Sequence, residues 1–410
     1  MLMLGPRPDS PPAGVTRRRF LARSFGAVGL AMTPARAAEA VVSSGRTFRA
    51  AIIGHTGHGN YGHEHDLIFN ERKNVTVVAV ADPDAAGRAR ASARSRALRQ
   101  YGDYREMLAM EKPGLVCIAP RCSDEHHAMA QAALGIGAHI YVEKPITRTL
   151  AEADALLELA DRGRLKIAVA HQMRLAPNIL ALGTAIEHGL LGDLLEIRSH
   201  GKQDHRVGGE DLVVLGVHLF DLMRFFAGAP RWCGAFISQA GHEITLENVH
   251  PATEDIGPVA GDEIVAEFAF PRGIHATFVS RARSRERAGP WGMELIGSKA
   301  SARILMEMVP RIYILNGGNW TAQGSTSEWR LWEGDPTLNW AESERGFARA
   351  NERVVDDWLA AIAEDREPVC GGRAGMRALE MVMAVFAAGL LRGRVAFPLT
   401  NRQHPLIANR

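Results

Sequence analysis

Thirteen residues, Gly54-His-Thr-Gly-His-Gly-Asn-Tyr-Gly-His-Glu-His-Asp66, hold four glycines and four histidines. Two kinds of chemistry suit such a stretch. Closely spaced histidines can hold a metal. Closely spaced glycines leave a bare backbone whose N–H groups can face a phosphate. Gly57-x-Gly59-x-x-Gly62 has the spacing of a dinucleotide loop, and Gly54-His-Thr-Gly57-x-Gly59 is a second phosphate-loop reading of the same residues. Asp82 stands 20 residues beyond Gly62, where a carboxylate accepts hydrogen bonds from adenosine ribose hydroxyls. No acid or cysteine recurs at ligand spacing from His55, His58, His63 or His65. The phosphate reading is therefore preferred, no metal is expected, and the histidines are expected as polar loop residues.

The elements around the loop decide between the readings. Phe48–Ile53 is a short apolar run ended by glycine, which predicts a buried parallel strand. A run from His63 to Arg72 can be helical, with His65 facing cofactor or core. Val75–Val80 is a second β-branched strand leading to Asp82. Strand, glycine loop, helix, strand and terminal acid make a dinucleotide-binding βαβ unit. Asp82 favours NAD over NADP, because a 2′-phosphate would meet its charge; Arg88 could soften that. The alternation continues through strands at 115–119, 139–142 and 166–170 and helices at 126–135 and 150–162. From Ile197 onward β-patterned segments dominate, at 231–238, 262–270, 273–280 and 293–296. Long apolar helices are expected near 212–226, 351–362 and 375–391, the last as core packing. Gly317 to Asn339 is expected as a long loop or irregular hairpin. No internal repeat is present.

With 410 residues the chain is long enough for two domains with their own cores. Its 46% hydrophobic and 23% charged residues are those of a globular enzyme. The net charge of +2 comes from the leader: the first 37 residues carry six arginines and one aspartate, and the remainder is near −3. That balance gives no electrostatic case for nucleic acid or an anionic membrane. Cys117, Cys122, Cys233 and Cys370 lack metal-ligand spacing and are expected as small buried residues. Thr16-Arg-Arg-Arg-Phe-Leu21, a weakly apolar run to Met32 and Ala35-Arg-Ala37 resemble a twin-arginine export signal with its cleavage pattern. The apolar run is too short to span a bilayer, so no stable membrane anchor is expected. The resemblance implies engagement of the twin-arginine translocase, export as an already folded, cofactor-loaded protein, and a periplasmic or otherwise exported location. Residues 1–37 would be the signal and 38–47 a flexible lead.

Tyr141-Val-Glu-Lys-Pro-Ile146 resembles the Glu-Lys-Pro signature of the Gfo/Idh/MocA oxidoreductases. Ala119-Pro120 with His126, Leu191-Gly-Asp-Leu194, Gly216-Val-His-Leu-Phe-Asp221, Gly297-Ser-Lys-Ala and Phe397-Pro-Leu also have counterparts there, so the resemblance runs from about Phe48 to about Leu406. It implies an α/β Rossmann domain over 48–174, followed over 175–410 by an α+β substrate domain with a large, mostly antiparallel sheet. It also implies an enzyme that carries NAD(H), moves a hydride at a secondary alcohol carbon of a sugar, glycoside or polyol, and pairs into a homo-oligomer through an exposed sheet face.

The resemblance also assigns residues. Lys144 would lie beside the nicotinamide and the reacting hydroxyl, with Glu143 next to it; Pro120 and His126 would serve the cofactor side. His218 matches the usual general base. The aspartate normally four residues before that histidine is Val214 here. Asp211, seven residues before His218, would share a helix face with it about 10 Å away along the axis. Asp211 or its neighbour Glu210 is therefore expected to line the sugar pocket in compensation. His171, Arg174 and Asp221 are expected around the same cleft, with Arg174 equally readable as an interdomain salt bridge. Export argues for NAD that stays bound and is recycled, either by coupling two substrates or by transient oxidation, elimination and re-reduction. Simple dehydrogenation with exchanging NAD, and a non-catalytic NAD- or sugar-binding protein, remain open.

Overall fold

The computed structural model describes residues 47–281, 291–306, 310–317, 328–334 and 346–407. Residues 1–46, which hold the pattern read as an export signal and all but the last residue of the expected lead, lie outside the described residues, as does most of Gly317–Asn339. Six parallel strands form the first sheet: β1 (Phe48–Ile53), β2 (Val75–Ala81), β3 (Arg99–Tyr101), β4 (Leu115–Ile118), β5 (His139–Val142) and β6 (Ile167–Val169). Their order is β3-β2-β1-β4-β5-β6, which places the C-terminal ends of β1 and β4 side by side. In such a sheet ligands bind at that switch point.

Alternate residues of each strand face opposite layers. Ala51, Ile53, Val116, Ile118, Ile140 and Val142 pack under the helices Tyr104–Glu111, His126–Gly135 and Leu150–Gly163. The last of these is started by a capping box, in which Thr149 accepts from the Glu152 N–H and Glu152 accepts from the Thr149 N–H. Ala50, Ile52, Leu115, Cys117 and Tyr141 face the other way and join Val354, Trp358 and Leu359.

That second layer departs from the expected βαβ unit. The segment after the glycine loop forms only a 3-10 turn, His65–Leu67, where a crossover helix was expected. Asn60 and Glu64 adopt φ of 53° and 62°, a left-handed conformation that stops helix propagation. Ile68 and Phe69 are nonetheless fully buried. The helix Phe347–Glu364, from the far end of the sequence, covers this face instead. Arg72 fastens it, donating to the Glu352 carbonyl and to Asp356.

The second sheet has ten strands. Its order runs 330–331, 311–316, 300–305, 292–297, 194–200, 275–281, 263–269, 232–239, 395–396, with 242–243 paired to 232–239. Strands 194–200 and 275–281 are parallel and the other neighbours antiparallel. The fold class is thus as expected, a Rossmann domain followed by an α+β domain with a mostly antiparallel sheet. Helices Val217–Ala227 and Gly372–Leu391 cover one face. Among the described residues Gly372–Leu391 is long and apolar enough to cross a membrane, yet 72% of its most apolar 18-residue stretch is buried in this core. The opposite face leaves Phe236 about half exposed. All four cysteines are buried and unpaired.

Candidate active site

The glycine loop begins where β1 ends. Gly57, Gly59 and Gly62 have φ of 86°, 79° and 56°, where a side chain is strained. A Cβ on Gly59 would lie 2.5 Å from the Arg121 nitrogen and 2.6 Å from that of Cys122. The loop after β4 therefore rests directly on the glycine loop, and the Arg121 N–H donates to the Gly59 carbonyl at 3.1 Å. A Cβ on Gly54 would strike the Tyr61 ring at 2.2 Å. Asp82 is fully buried at the end of β2. Its carboxylate accepts from the Thr56 N–H at 3.1 Å, the Thr56 hydroxyl at 2.7 Å and the Asp84 N–H at 2.9 Å. It anchors the first turn of the loop. Beside it lies a pocket of about 200 Å³ lined by Gly54, His55, Asp82, Pro83, Tyr104 and Arg105. That pocket sits at the ends of β1 and β2, where the adenosine half of a dinucleotide fits a Rossmann sheet.

The loop histidines do not gather around one point. His55 Nδ1 lies 2.8 Å from Glu125, His58 Nε2 2.9 Å from Asp124 and His63 Nδ1 2.9 Å from Glu143. Each joins the glycine loop to a carboxylate beyond β4 or β5. His65 is buried edge-on to the Tyr141 ring, and burial pulls its pKa down to about 4, so it is neutral.

β5 delivers the second group of side chains. Glu143 is fully buried, with one oxygen taken by the Lys144 N–H and the other by His63. Burial alone would raise its pKa, but Lys144 and the histidines outweigh that and hold it well below the usual carboxylate range. The Lys144–Pro145 peptide is cis. His126 fixes this turn to the β4 loop, facing the Pro145 carbonyl at 2.9 Å and the Pro120 carbonyl at 2.7 Å. Lys144 Nζ donates to the Val214 carbonyl at 3.2 Å, across to the second domain. His171, just past β6, meets His218 with the rings edge to face, centroids 5.4 Å apart. Both rings are buried; neither His171 nitrogen nor His218 Nδ1 has a partner among the described residues. Burial lowers the pKa of Lys144 against the pull of Glu143. Burial, then Lys144 and His171, holds His218 well below its ordinary value. The outcome is a buried cluster of one lysine and two neutral imidazoles with open nitrogens, a set able to take and return a hydroxyl proton.

The backbone before His218 shapes this cluster. An α-helical turn Gly208–Asp211 passes into a π-turn Leu212–Gly216 before the α-helix Val217–Ala227. A π-turn bonds each residue to the fifth one on, which widens the helix. Here it presents the Val214 carbonyl to Lys144. Gly216 lets the Phe278 ring pack close against the turn, 3.1 Å from where a Cβ would be.

The π-turn also bears on Asp211. Seven α-helical residues return to the same face, but the extra residue turns the helix by roughly 100°. Asp211 accordingly accepts from the Ser280 hydroxyl at 2.6 Å and from the N–H groups of Lys202 and Gln203 at 3.1 and 3.3 Å. It is fully buried, and burial raises its pKa to about 6. These partners hold the end of strand 194–200, and His218 is not among them. Glu210 accepts from the Thr253 hydroxyl. Arg174 and Asp221 pair with each other at 3.2 Å, with the guanidinium over Phe225. The structure thus brings Lys144, Glu143, His171 and His218 together and gives Asp211, Glu210, Arg174 and Asp221 partners of their own. Two contributors carried no local signal. Val214 acts through its main chain. Asn351 donates to the His63 carbonyl at 2.6 Å and accepts from Gln172 at 2.8 Å.

A six-stranded Rossmann sheet with a glycine loop, and a second domain that brings a histidine to a buried lysine, define an NAD-dependent oxidoreductase. The family models agree. Residues 48–171 match the NAD-binding Rossmann domain of the Gfo/Idh/MocA oxidoreductases, and residues 184–390 match the C-terminal α/β domain. The chain belongs to that family. D-apiose dehydrogenase of Paraburkholderia graminis is 24% identical over 360 residues, covering 85% of this chain and 89% of its own. Inositol 2-dehydrogenase of Salmonella typhimurium is 29% identical over 160 residues, 38% of this chain and 46% of its own. Among solved structures, levoglucosan dehydrogenase in complex with NADH and levoglucosan superposes with a TM-score of 0.70 at 19% identity, covering 86% of this chain and all of that one.

Proposed function

We propose that this enzyme oxidises a secondary hydroxyl of a sugar, glycoside or polyol, with NAD that stays bound and is re-reduced or re-oxidised within one catalytic cycle. The observation that carries the chemistry is the meeting of Lys144 with His171 and His218 in a buried cluster. NAD supplies the hydride acceptor. Lys144 orients the hydroxyl and His218, with its open nitrogen, takes the proton. The buried surroundings keep water from competing. The names of the apiose, inositol and levoglucosan dehydrogenases support the substrate class. Retention of NAD is supported by the twin-arginine pattern and by the three histidine–carboxylate contacts that tie the glycine loop down. Export through the twin-arginine translocase and pairing of two chains through the half-exposed sheet face are part of the same proposal.

The test starts from protein purified without added nucleotide, denatured, and assayed for NAD(H) by absorbance and mass spectrometry. About one NAD(H) per chain is expected. Nucleotide-free protein that binds added NAD reversibly would sink the retained-cofactor part and leave a simple dehydrogenase. For the chemistry, Lys144→Ala and His218→Ala should each lower turnover on the best sugar substrate by ~10²–10⁴-fold. Their NAD content should not change. Full activity in Lys144→Ala would refute the proton relay, and wild-type protein that binds NAD yet turns over no sugar, glycoside or polyol would favour a binding protein.

A further inference from the structure

We infer that His58, Cys122 and Asp255 form a binding site for a borderline-soft divalent cation of the Zn²⁺ type, at the seam between the glycine loop and the substrate domain. The three residues come from segments far apart in the sequence: the glycine loop, the loop after β4, and a loop of the second domain. The sequence alone shows no ligand spacing here, because the fold rather than the chain brings them together. One ligand atom from each lies within 4.8 Å of the other two. Around a tetrahedral ion with metal–nitrogen and metal–oxygen bonds of ~2.0 Å and a metal–sulfur bond of ~2.3 Å, ligand atoms stand roughly 3.3–3.8 Å apart. His58 Nδ1 and Asp255 Oδ2 are already 3.7 Å apart.

The surroundings are those of a built site. His58 Nε2 is held by Asp124 at 2.9 Å, which leaves Nδ1 turned toward Asp255. A carboxylate on the far nitrogen of a metal-binding imidazole fixes its tautomer and orientation. Asp255 is fixed through its main chain, whose carbonyl accepts from the Ser123 N–H at 3.2 Å and from Arg148 at 2.7 Å. Its φ of 50° is one that Asp tolerates. Arg148 also reaches toward Asp255 Oδ1, at 3.8 Å, leaving Oδ2 on the His58 side. A bound divalent ion and Arg148 would balance Asp124, Asp255 and a Cys122 thiolate. The thiolate and imidazole choose a borderline-soft ion over Mg²⁺ or Ca²⁺. Three protein ligands leave a fourth position open. The ion would clasp the glycine loop to both neighbouring loops.

Cobalt serves as the probe, since a Co²⁺–thiolate bond gives a charge-transfer band. Full-length protein, treated with chelator and titrated with Co²⁺, should bind one ion per chain with that band, and Zn²⁺ should displace it. Cys122→Ser should abolish the band. Asp255→Asn, at an exposed position where Asn also tolerates the backbone, should weaken Co²⁺ binding at least tenfold without touching the core. Asp124→Asn should weaken it ~10–100-fold by freeing the imidazole. Zn²⁺ should raise the melting temperature of the wild type and not of Asp255→Asn. No thiolate band, a band that survives Cys122→Ser, or Mg²⁺ binding as tight as Co²⁺ binding would each overturn the inference.

Discussion

Gly57 and Gly59 offer a controlled comparison. Both have strongly positive φ, 86° and 79°, so replacement by alanine forces each into a conformation that costs ~1–2 kcal/mol. Only their neighbours differ. Nothing lies within 4 Å of a Cβ on Gly57, whereas on Gly59 it would meet two main-chain nitrogens at 2.5 and 2.6 Å. Main-chain atoms cannot swing aside as a lysine tip can. The loop after β4 must move, and the Arg121–Gly59 hydrogen bond goes with it, at ~1 kcal/mol or more. Gly57→Ala should therefore lose about 1–2 kcal/mol of stability and Gly59→Ala at least ~3 kcal/mol. Urea unfolding followed by tryptophan fluorescence reads the first quantity. Calorimetric titration of NAD into nucleotide-stripped protein reads a second: Gly59→Ala should bind more than ~10-fold weaker, the equivalent of about 1.4 kcal/mol, and Gly57→Ala much nearer to wild type. Equal losses in the two variants would refute the reasoning, because their backbone strain is shared.

Three further perturbations test the scaffold of the site. His126→Ala leaves two buried carbonyls, of Pro120 and Pro145, without their imidazole; it should cost ~2–4 kcal/mol and lower kcat through misplacement of Lys144, measured by urea melts and steady-state kinetics. Asn351→Ala removes the donor to the His63 carbonyl and the acceptor for Gln172, and should cost ~2–3 kcal/mol in the same melts. Asp211 has a folded pKa raised from 3.8 to about 6, so its ionisation opposes folding. Its favourable share is complete below about pH 4 and is lost as pH rises through 6. Relative to Asp211→Asn, the wild type should thus lose on the order of 3 kcal/mol between pH 4 and pH 7. A difference that does not vary with pH would show that Asp211 titrates normally.

Five of the six Rossmann strands were legible as short apolar runs buried on both faces, three of them closed by Gly, Asp or Glu-Lys-Pro; β3, the exposed Arg99-Gln-Tyr101, carries no such run and was not legible. Glu143, Lys144 and His218 were legible only through the motifs around them. The missing crossover helix was not legible, since its position is taken by residues 347–364, some 280 residues further along the chain. Local periodicity cannot report what will cover a strand from that distance. Asp124 and Glu125 stand in plain view before the helix at His126, yet their partners His58 and His55 lie more than sixty residues away. The carboxylates of Asp211 and Asp221 read as substrate groups from type and spacing. Their hydrogen bonds to Ser280 and Arg174 depend on elements whose approach the sequence does not encode locally.

The π-turn at Leu212–Gly216 changes what residue counting means in this chain. Counting four residues back from His218 lands on Val214, which lies inside the widened turn. A position reached by that count is not the place one α-helical turn away in space. In this chain the vacancy left by an aspartate side chain and the oxygen that meets Lys144 belong to one residue, through different atoms. Alignments that score side-chain identity at that column will record a lost catalytic partner. The structure of this chain nonetheless records an acceptor, the Val214 carbonyl, facing the lysine.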